Sequence, residues 1–254
     1  MVLLAAVCSA NDAARDTATA IGCASDRIDE HVTVNYVYDG DTVRLSDGRK
    51  VRFIGIDTPE VGHNGAPSQP FAAEARTALE TLLGSGKAMS LRYDEERHDR
   101  YGRDLAHIFL KNGVSIEARM LEQGLATVLT YPPNTWNLAC YQAAEQRARK
   151  AQRGIWSLPQ YQPVDAASMT GDERGFRLIK GKVAQISEDR GGLLLELNGG
   201  MQLYISRKNR HYFANSAPEG WQGRTVLVRG KLSPSDESGP RIHIRHPAAL
   251  QVIE

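Results

Sequence analysis

The sequence predicts a β-barrel with helices, an α+β chain that builds two barrels in series, the second smaller than the first. Three observations carry this expectation. Short runs of apolar residues spaced by two recur from His31 onward, separated by turn dipeptides such as Asp47-Gly48 and Asn112-Gly113, which is the pattern of half-buried strands. Between them stand segments whose apolar residues recur at helical spacing and stop at a glycine, as at Gly84 and Gly124. After Trp156 a stretch containing Pro159 and Pro163 interrupts the pattern, and a second series of short strands follows.

Residues 11–30 are rich in Ala, Thr, Ser and Asp without periodicity and read as mostly disordered. Val32, Val34 and Tyr36 alternate as the first strand. Val43 and Leu45, then Val51 and Phe53, flank Asp47-Gly48, the kind of dipeptide that closes a two-residue hairpin. In that register Ser46 faces Arg49, Val43 faces Arg52 and Asp41 faces Ile54, so Asp41 and Arg52 become diagonal neighbours on one face. A β-bulge would break this parity. Asp57-Thr58-Pro59-Glu60 ends the second arm, because proline cannot donate to a ladder and turns Thr58 away from helix.

Residues 62–70, with their Gly and Pro, form a loop. Phe71, Ala75, Ala78, Leu79, Leu82 and Leu83 then share one helical face. Met89, Leu91 and Tyr93 make a fourth strand and residues 105–110 a fifth, joined by the charged run 94–104, which on charge alone is a solvated loop. Residues 115–123 form a helix with Ile116, Met120 and Leu121 inward, and residues 135–152 another, whose Arg147, Arg149, Lys150 and Arg153 read as a solvated basic face. Five strands with about three helices over them fit an OB-like barrel.

Residues 158–174 are expected to be a linker. Beyond it, residues 178–186, 193–197, 201–205, 225–228 and 241–244 have strand character, with a short helix at 207–213 between the third and fourth. This order is again OB-like. The expected organisation is therefore an N-terminal segment 1–30, a first domain 31–157, the linker 158–174 and a second domain 175–254. Arg207, Lys208, Arg210, His211 and Tyr212, or the loop 233–240, could offer charge and stacking to an oligonucleotide. A barrel that only packs on its neighbour accounts for them equally well, because fold alone does not imply function.

The chemistry concentrates between residues 38 and 60. Asp41, Asp57 and Glu60 converge with Arg52 near one end of the sheet. Carboxylates so gathered repel one another, so either they are well solvated or a cation that prefers oxygen sits among them. The fork of an arginine held nearby suits a phosphate. Asp39-Gly40-Asp41 taken alone reads equally well as a solvated turn.

Together, Asp39-Gly40-Asp41-Thr42, Arg52, Asp57-Thr58-Pro59-Glu60 and Asp99-Arg100-Tyr101-Gly102-Arg103-Asp104-Leu105-Ala106 resemble the motifs of the staphylococcal-type nuclease (thermonuclease) family, over residues 32–156. The resemblance implies a hydrolase that cleaves phosphodiester bonds by in-line attack of water with one Ca²⁺, held by Asp41, Asp57 and the main-chain carbonyl of Thr58. It implies that Glu60 orients or deprotonates the water and that Arg52 and Arg103 clamp the phosphate. Tyr101, with Arg100 beside it, would bond to or stack on the nucleotide. The implied substrate is DNA or RNA, single strands preferred, cut to leave a 5′-hydroxyl and a 3′-phosphate. The family often carries a stacking tyrosine two residues before the place of Tyr131, where this chain has Leu129. Some relatives keep the barrel without the catalytic residues and only bind nucleic acid or protein; the complete set here favours an enzyme. Hydrolysis of a small nucleotide diester is a third reading, which the near-zero charge leaves open.

With 254 residues the chain suffices for one large or two small domains, and its formal charge of +1 gives no global attraction for a polyanion, so any such binding depends on local clusters. No apolar run approaches the roughly 20 residues that a spanning helix needs. Residues 2–7 are apolar and precede Cys8-Ser9-Ala10, which resembles the end of an export signal although a charged n-region is missing. A secreted or periplasmic location is expected, and a monomer. Without that tail Cys23 and Cys140 remain as an even pair, and a disulfide between them is expected, with two separate buried thiols as the alternative. The seven histidines show no metal-ligand spacing.

Overall fold

The computed structural model of the chain describes residues 23–170, 173–236 and 239–253. The signal-like segment and most of the stretch expected to be disordered lie outside these residues. The first barrel is a closed ring of five strands, β1 (Glu30–Val37), β2 (Thr42–Leu45), β3 (Lys50–Phe53), then, after β4 (Gly55–Asp57) and α1 (Ala72–Leu83), β5 (Ala88–His98) and β6 (Asp104–Phe109). The ring order is β1-β2-β3-β6-β5, with β3 and β6 parallel and β5 closing antiparallel on β1. This is the OB-like arrangement.

The turn between β2 and β3 departs from the expected hairpin. The amide of Leu45 donates to the Arg49 carbonyl at 2.8 Å and that of Gly48 to the Leu45 carbonyl at 3.1 Å, so the loop has three residues and Gly48 takes φ +93°. A left-handed glycine in this place makes a bulge that moves the pairing by one residue. Thr42 therefore faces Arg52 and Val43 faces Val51. The physical reason is burial: the two-residue register would set Val43 and Val51 on opposite faces, whereas the bulge sends Val43, Leu45, Val51 and Phe53 all into the core. Asp41 lies beyond the end of β2 and its carbonyl accepts from the Phe53 amide at 2.8 Å, so it does not meet Arg52 as a diagonal ladder neighbour.

The second arm is also shorter than expected. Ile54 ends the run, Gly55 turns with φ +89°, and β4 pairs instead with β7 (Thr127–Leu129), which follows α2 (Ile116–Glu122). A Cβ at Gly55 would stand 2.6 Å from the Tyr141 ring, so only glycine lets the chain cross α3 (Leu138–Lys150) there. The charged run after Tyr93 is strand rather than loop: β5 continues to His98, its edge held by Asn134, whose side chain accepts from the Glu96 amide and donates to the Glu96 carbonyl, both at 2.8 Å. Cys23 and Cys140 form a disulfide that ties the segment before β1 to α3, and Asp26 bonds Arg92 at 2.7 Å, so residues 23–29 are fastened to the barrel.

α2 carries a buried carboxyl. Glu117 accepts from the Ile108 amide at 2.7 Å and from the Ser115 hydroxyl at 2.9 Å, and burial pushes it up to about 8. An ordinary glutamate in the unfolded chain titrates near 4.3. Below that value both states hold the proton and its contribution is complete. As pH rises toward about 8 the unfolded chain ionises first, so stability falls by ~1.4 kcal/mol per pH unit. Glu117→Gln is expected to flatten this slope and raise the unfolding midpoint at pH near 8, which denaturant unfolding at several pH values measures; slopes parallel to the wild type would refute it.

The segment expected to be a linker is folded. Two 3-10 turns at Gly154–Ser157 and Pro159–Tyr161 lead into β8 (Pro163–Asp165), which pairs parallel with β9 (Gly175–Glu188), and Ala166 is buried in the second core. The second barrel continues with β10 (Gly192–Leu197), β11 (Gln202–Ser206), β12 (Thr225–Asp236), β13 (Gly239–His243) and the flanking β14 (Leu250–Val252). Its ring runs β9-β10-β11-β13-β12 and closes from β12 to β9, with β11 and β13 parallel. The strand order of the first barrel is thus repeated. The 3-10 segment Arg207–Phe213 follows the third strand of this ring, as α1 follows β4 in the first.

The barrels share a seam. Ile155, Trp156 and Leu178 are buried together with Tyr161 and Phe176 packed on them, the last two rings stacked at 5.6 Å. Across the seam Arg229 of β12 makes a two-armed ion pair with the buried Glu145 of α3, which also accepts the Val128 amide at 2.7 Å. No helix among the described residues is long and apolar enough to cross a membrane.

Candidate active site

Three consecutive local devices place the charged groups. Asp39 accepts the Asp41 amide at 3.0 Å and so turns the chain into β2. Gly40 fits because a Cβ there would lie 2.8 Å from the Thr58 methyl and 2.9 Å from Ala75. The chain leaving β4 then runs past Asp41, and Thr58 donates to the same oxygen, Asp41 Oδ2, through its amide at 2.8 Å and its hydroxyl at 3.0 Å. Thr42 donates to the other oxygen at 3.0 Å. Asp41 is only 4% exposed, and Thr58 is buried against it.

Arg52 projects from β3 between the two aspartates. Its Nη2 lies 3.1 Å from Asp41 Oδ2 and 3.3 Å from Asp57 Oδ1, and its Nη1 donates to the Phe53 carbonyl. Burial pushes the Asp41 carboxyl up to about 7 against the pull of Arg52, with the charges of Asp39 and Asp57 adding to the rise. Glu60 is displaced upward too, first by burial of its carboxyl and then by Asp41 and Asp57, although the residue as a whole is exposed at the mouth of the site. Its main chain is held by Gln69, which accepts its amide and donates to its carbonyl, both at 3.0 Å.

The hairpin between β5 and β6 uses the same three-residue turn as the one at Gly48. Gly102 takes φ +74° and its amide donates to the Asp99 carbonyl at 3.0 Å. Arg103 leaves this turn with its Nε donating to Asp99 Oδ2 at 2.7 Å. Its bonds hold Asp99 below the usual carboxylate range although burial acts the other way. Tyr101 at the tip is 69% exposed and Arg100 donates to its hydroxyl at 2.6 Å.

Arg52, Asp57, Glu60, Arg100, Tyr101 and Arg103 all line one cleft of about 510 Å³. Asp41 stands behind it, in contact with Arg52 and with Thr58, and Cys23–Cys140 lies apart at α3. The same cleft is lined by Tyr131, at the end of the chain leaving β7, and by Lys231 and Arg245 of the second barrel. Lys231 Nζ reaches both oxygens of Asp57, at 3.0 and 2.9 Å. Sequence reasoning missed these cations, and no local signal could have found them, since each is an ordinary basic residue on or beside a strand.

The donor set fits a hard divalent cation. It is all oxygen, and the charges of neighbouring carboxylates add to the burial that raises Asp41 and Glu60. Among the described residues no group of three or more His, Cys, Asp or Glu side chains is gathered as a ready cage. Two carboxylates and a main-chain carbonyl, completed by water and substrate, would not form one.

The comparisons with known proteins place this OB-like barrel, with Arg52, Asp57, Glu60 and Arg103 lining one cleft, in a nuclease family. The staphylococcal nuclease homologue family matches residues 50–158. The chain is 35% identical over 130 residues to a thermonuclease of Staphylococcus intermedius, covering 50% of this chain and 76% of that protein. It is 36% identical over 124 residues to a thermonuclease of Staphylococcus hyicus, covering 48% and 72%. It is 35% identical over 136 residues to endonuclease YncB of Bacillus subtilis, covering 52% of this chain but 64% of that protein's length. The chain belongs to the staphylococcal nuclease homologue family, and its second barrel lies beyond the residues that the family match covers.

Proposed function

We propose that the chain is an endonuclease that hydrolyses phosphodiester bonds of DNA and/or RNA, single strands preferred, to leave 5′-hydroxyl and 3′-phosphate ends, with Ca²⁺ as its metal. The observation that carries this reading is the convergence of Arg52, Asp57, Glu60 and Arg103 on one cleft with Asp41 behind them. Asp41, Asp57 and the Thr58 carbonyl are the groups that would hold Ca²⁺, which when bound supplies polarisation of a phosphoryl oxygen and offsets charge.

The protein's own groups do the remainder. The guanidinium groups of Arg52 and Arg103 bind the phosphate from two sides, strengthening as negative charge grows on its oxygens. Arg52 is already oriented by Asp41 and Asp57, and Arg103 by Asp99, so little ordering remains to be done when substrate arrives. Glu60 lines the cleft beside Arg52 and Asp57 and, as a carboxylate, orients the attacking water or takes its proton. Tyr101, exposed at the hairpin tip, offers a ring for a base, a role that Leu129 cannot fill. The Cys23–Cys140 disulfide supports a place of work outside the reducing cytosol, in the periplasm or secreted.

The end chemistry has a direct test. Products of a cleaved oligonucleotide are expected to accept phosphate at their 5′ ends from a polynucleotide kinase without prior dephosphorylation, and their formation is expected to stop with a chelator and return with Ca²⁺. Products that already carry 5′-phosphate, or cleavage that a chelator leaves untouched, would overturn the reading.

A further inference from the structure

We propose that the second barrel is a wall of the substrate cleft, with Lys231 and Arg245 binding backbone phosphates of the nucleic-acid strand beside the bond that is cut. This rests on the nuclease reading and adds to it a binding site that spans two barrels.

The placement follows from the seam. Arg229 and Lys231 are two apart on β12 and therefore project to the same face of the strand. Arg229 is locked into the first barrel by the buried Glu145. That lock aims Lys231 at the first barrel as well, where its ammonium meets Asp57. Gly230 between them faces the opposite way: a Cβ there would stand 2.6 Å from Ile242. The lysine side chain is 51% exposed, so it is free to leave the carboxylate for an incoming phosphate.

Arg245 reaches the cleft from the end of the neighbouring strand. Its guanidinium lies over the ring of Tyr131, 4.4 Å from the centroid, and among the described residues no carboxylate pairs with it. Tyr131 is itself 49% exposed. A cation stacked on an open aromatic ring, without a counter-ion and facing a cleft that contains other phosphate-binding arginines, is the arrangement that takes a backbone phosphate while a base rests on the ring. Arg100 and Tyr101 line the same cleft and form a similar pair, their ring and guanidinium 4.8 Å apart. The cleft that both pairs line is also lined by Arg52 and Glu60. Five basic groups, Arg52, Arg100, Arg103, Lys231 and Arg245, line this cleft beside the carboxylates of Asp57, Glu60, Glu96 and Asp99, so a polyanion is held there by the placement of single cations and not by the net charge of +1.

The test compares Lys231→Ala, Arg245→Ala and their double variant with the wild type on a single-stranded oligonucleotide of about 12 nucleotides and on a dinucleotide. Each substitution is expected to raise KM for the oligonucleotide about tenfold, the double variant more, with kcat within about twofold. Arg245→Ala is expected to leave the dinucleotide unaffected, and Lys231→Arg to restore most of the loss. Fluorescence anisotropy with a labelled oligonucleotide reads the same loss as weaker binding and works whether or not cleavage occurs. A wild type that cleaves while both variants match it in KM and binding would overturn this proposal alone. Faster turnover at lower Ca²⁺ in Lys231→Ala would overturn it too, by making the lysine a competitor for the metal's place. A wild type that binds but never cleaves would instead overturn the nuclease reading, and the anisotropy loss would still decide the role of the second barrel.

Discussion

Arg52→Ala is expected to lower kcat on nucleic acid by about 10²–10³, the usual cost of losing one donor aimed at the charge of the transition state. The substitution also removes the cation beside the buried Asp41, so some loss of stability accompanies it. Arg52→Lys separates the two effects. It keeps a positive charge near Asp41 and Asp57 but loses the planar fork that reaches both aspartates and a phosphate. The lysine variant is expected to fold with nearly native stability and still turn over about 10²-fold more slowly. Steady-state kinetics beside thermal unfolding measures both quantities. A lysine variant with native kcat would mean that only the charge of Arg52 matters.

Glu60→Gln has the second large effect. The substitution preserves the size of the side chain and does not touch the main-chain bonds to Gln69 that hold the segment, so the fold is expected to be unchanged. Removing a group that accepts the proton of water costs on the order of 10²–10⁴ in kcat, with KM for the oligonucleotide close to the wild type. Equal turnover would take Glu60 out of the mechanism. A raised KM with unchanged kcat would move it to substrate binding.

The parts of the fold that were legible in the sequence are those specified locally. The apolar alternation of Val43, Leu45, Val51 and Phe53 marks the strands whatever their register, and Phe71, Ala75 and Leu79 mark α1 by helical spacing. The register itself depends on whether Asp47 joins Gly48 in the left-handed region, as a two-residue type I′ turn requires; here Gly48 alone does, and the dipeptide is compatible with either loop length. The same is true of the strand break, which Gly55 makes because Tyr141 of a distant helix crosses it. The length of β5 was hidden because its last residues are charged and exposed; their extended form depends on Asn134, from another part of the chain. The expected linker, 158–174, has the composition of one, and its residues 163–165 are strand only because the second barrel supplies β9 for them to pair with.

A similar division runs through the site. Asp39, Asp41, Arg52, Asp57 and Glu60 lie within about one hairpin of each other, so their types and spacing are informative before any tertiary structure is considered. Arg100, Tyr101 and Arg103 belong to one turn whose Asp and Gly are a recognisable device. Lys231 meets Asp57 across a separation of 174 residues, and its aim is set by the Arg229–Glu145 pair rather than by its neighbours in sequence. Only the packing of two barrels could disclose it.

The central claim is that the cleft between Arg52 and Arg103 hydrolyses a nucleic-acid backbone. The most direct test incubates the purified chain with single-stranded DNA and with RNA, with Ca²⁺ and with a chelator, beside the Arg52→Ala variant. Cleavage of at least one polymer that needs Ca²⁺ and is lost in the variant is the expected result. Retained binding of both polymers without cleavage of either would contradict the claim and leave the cleft as a binding surface.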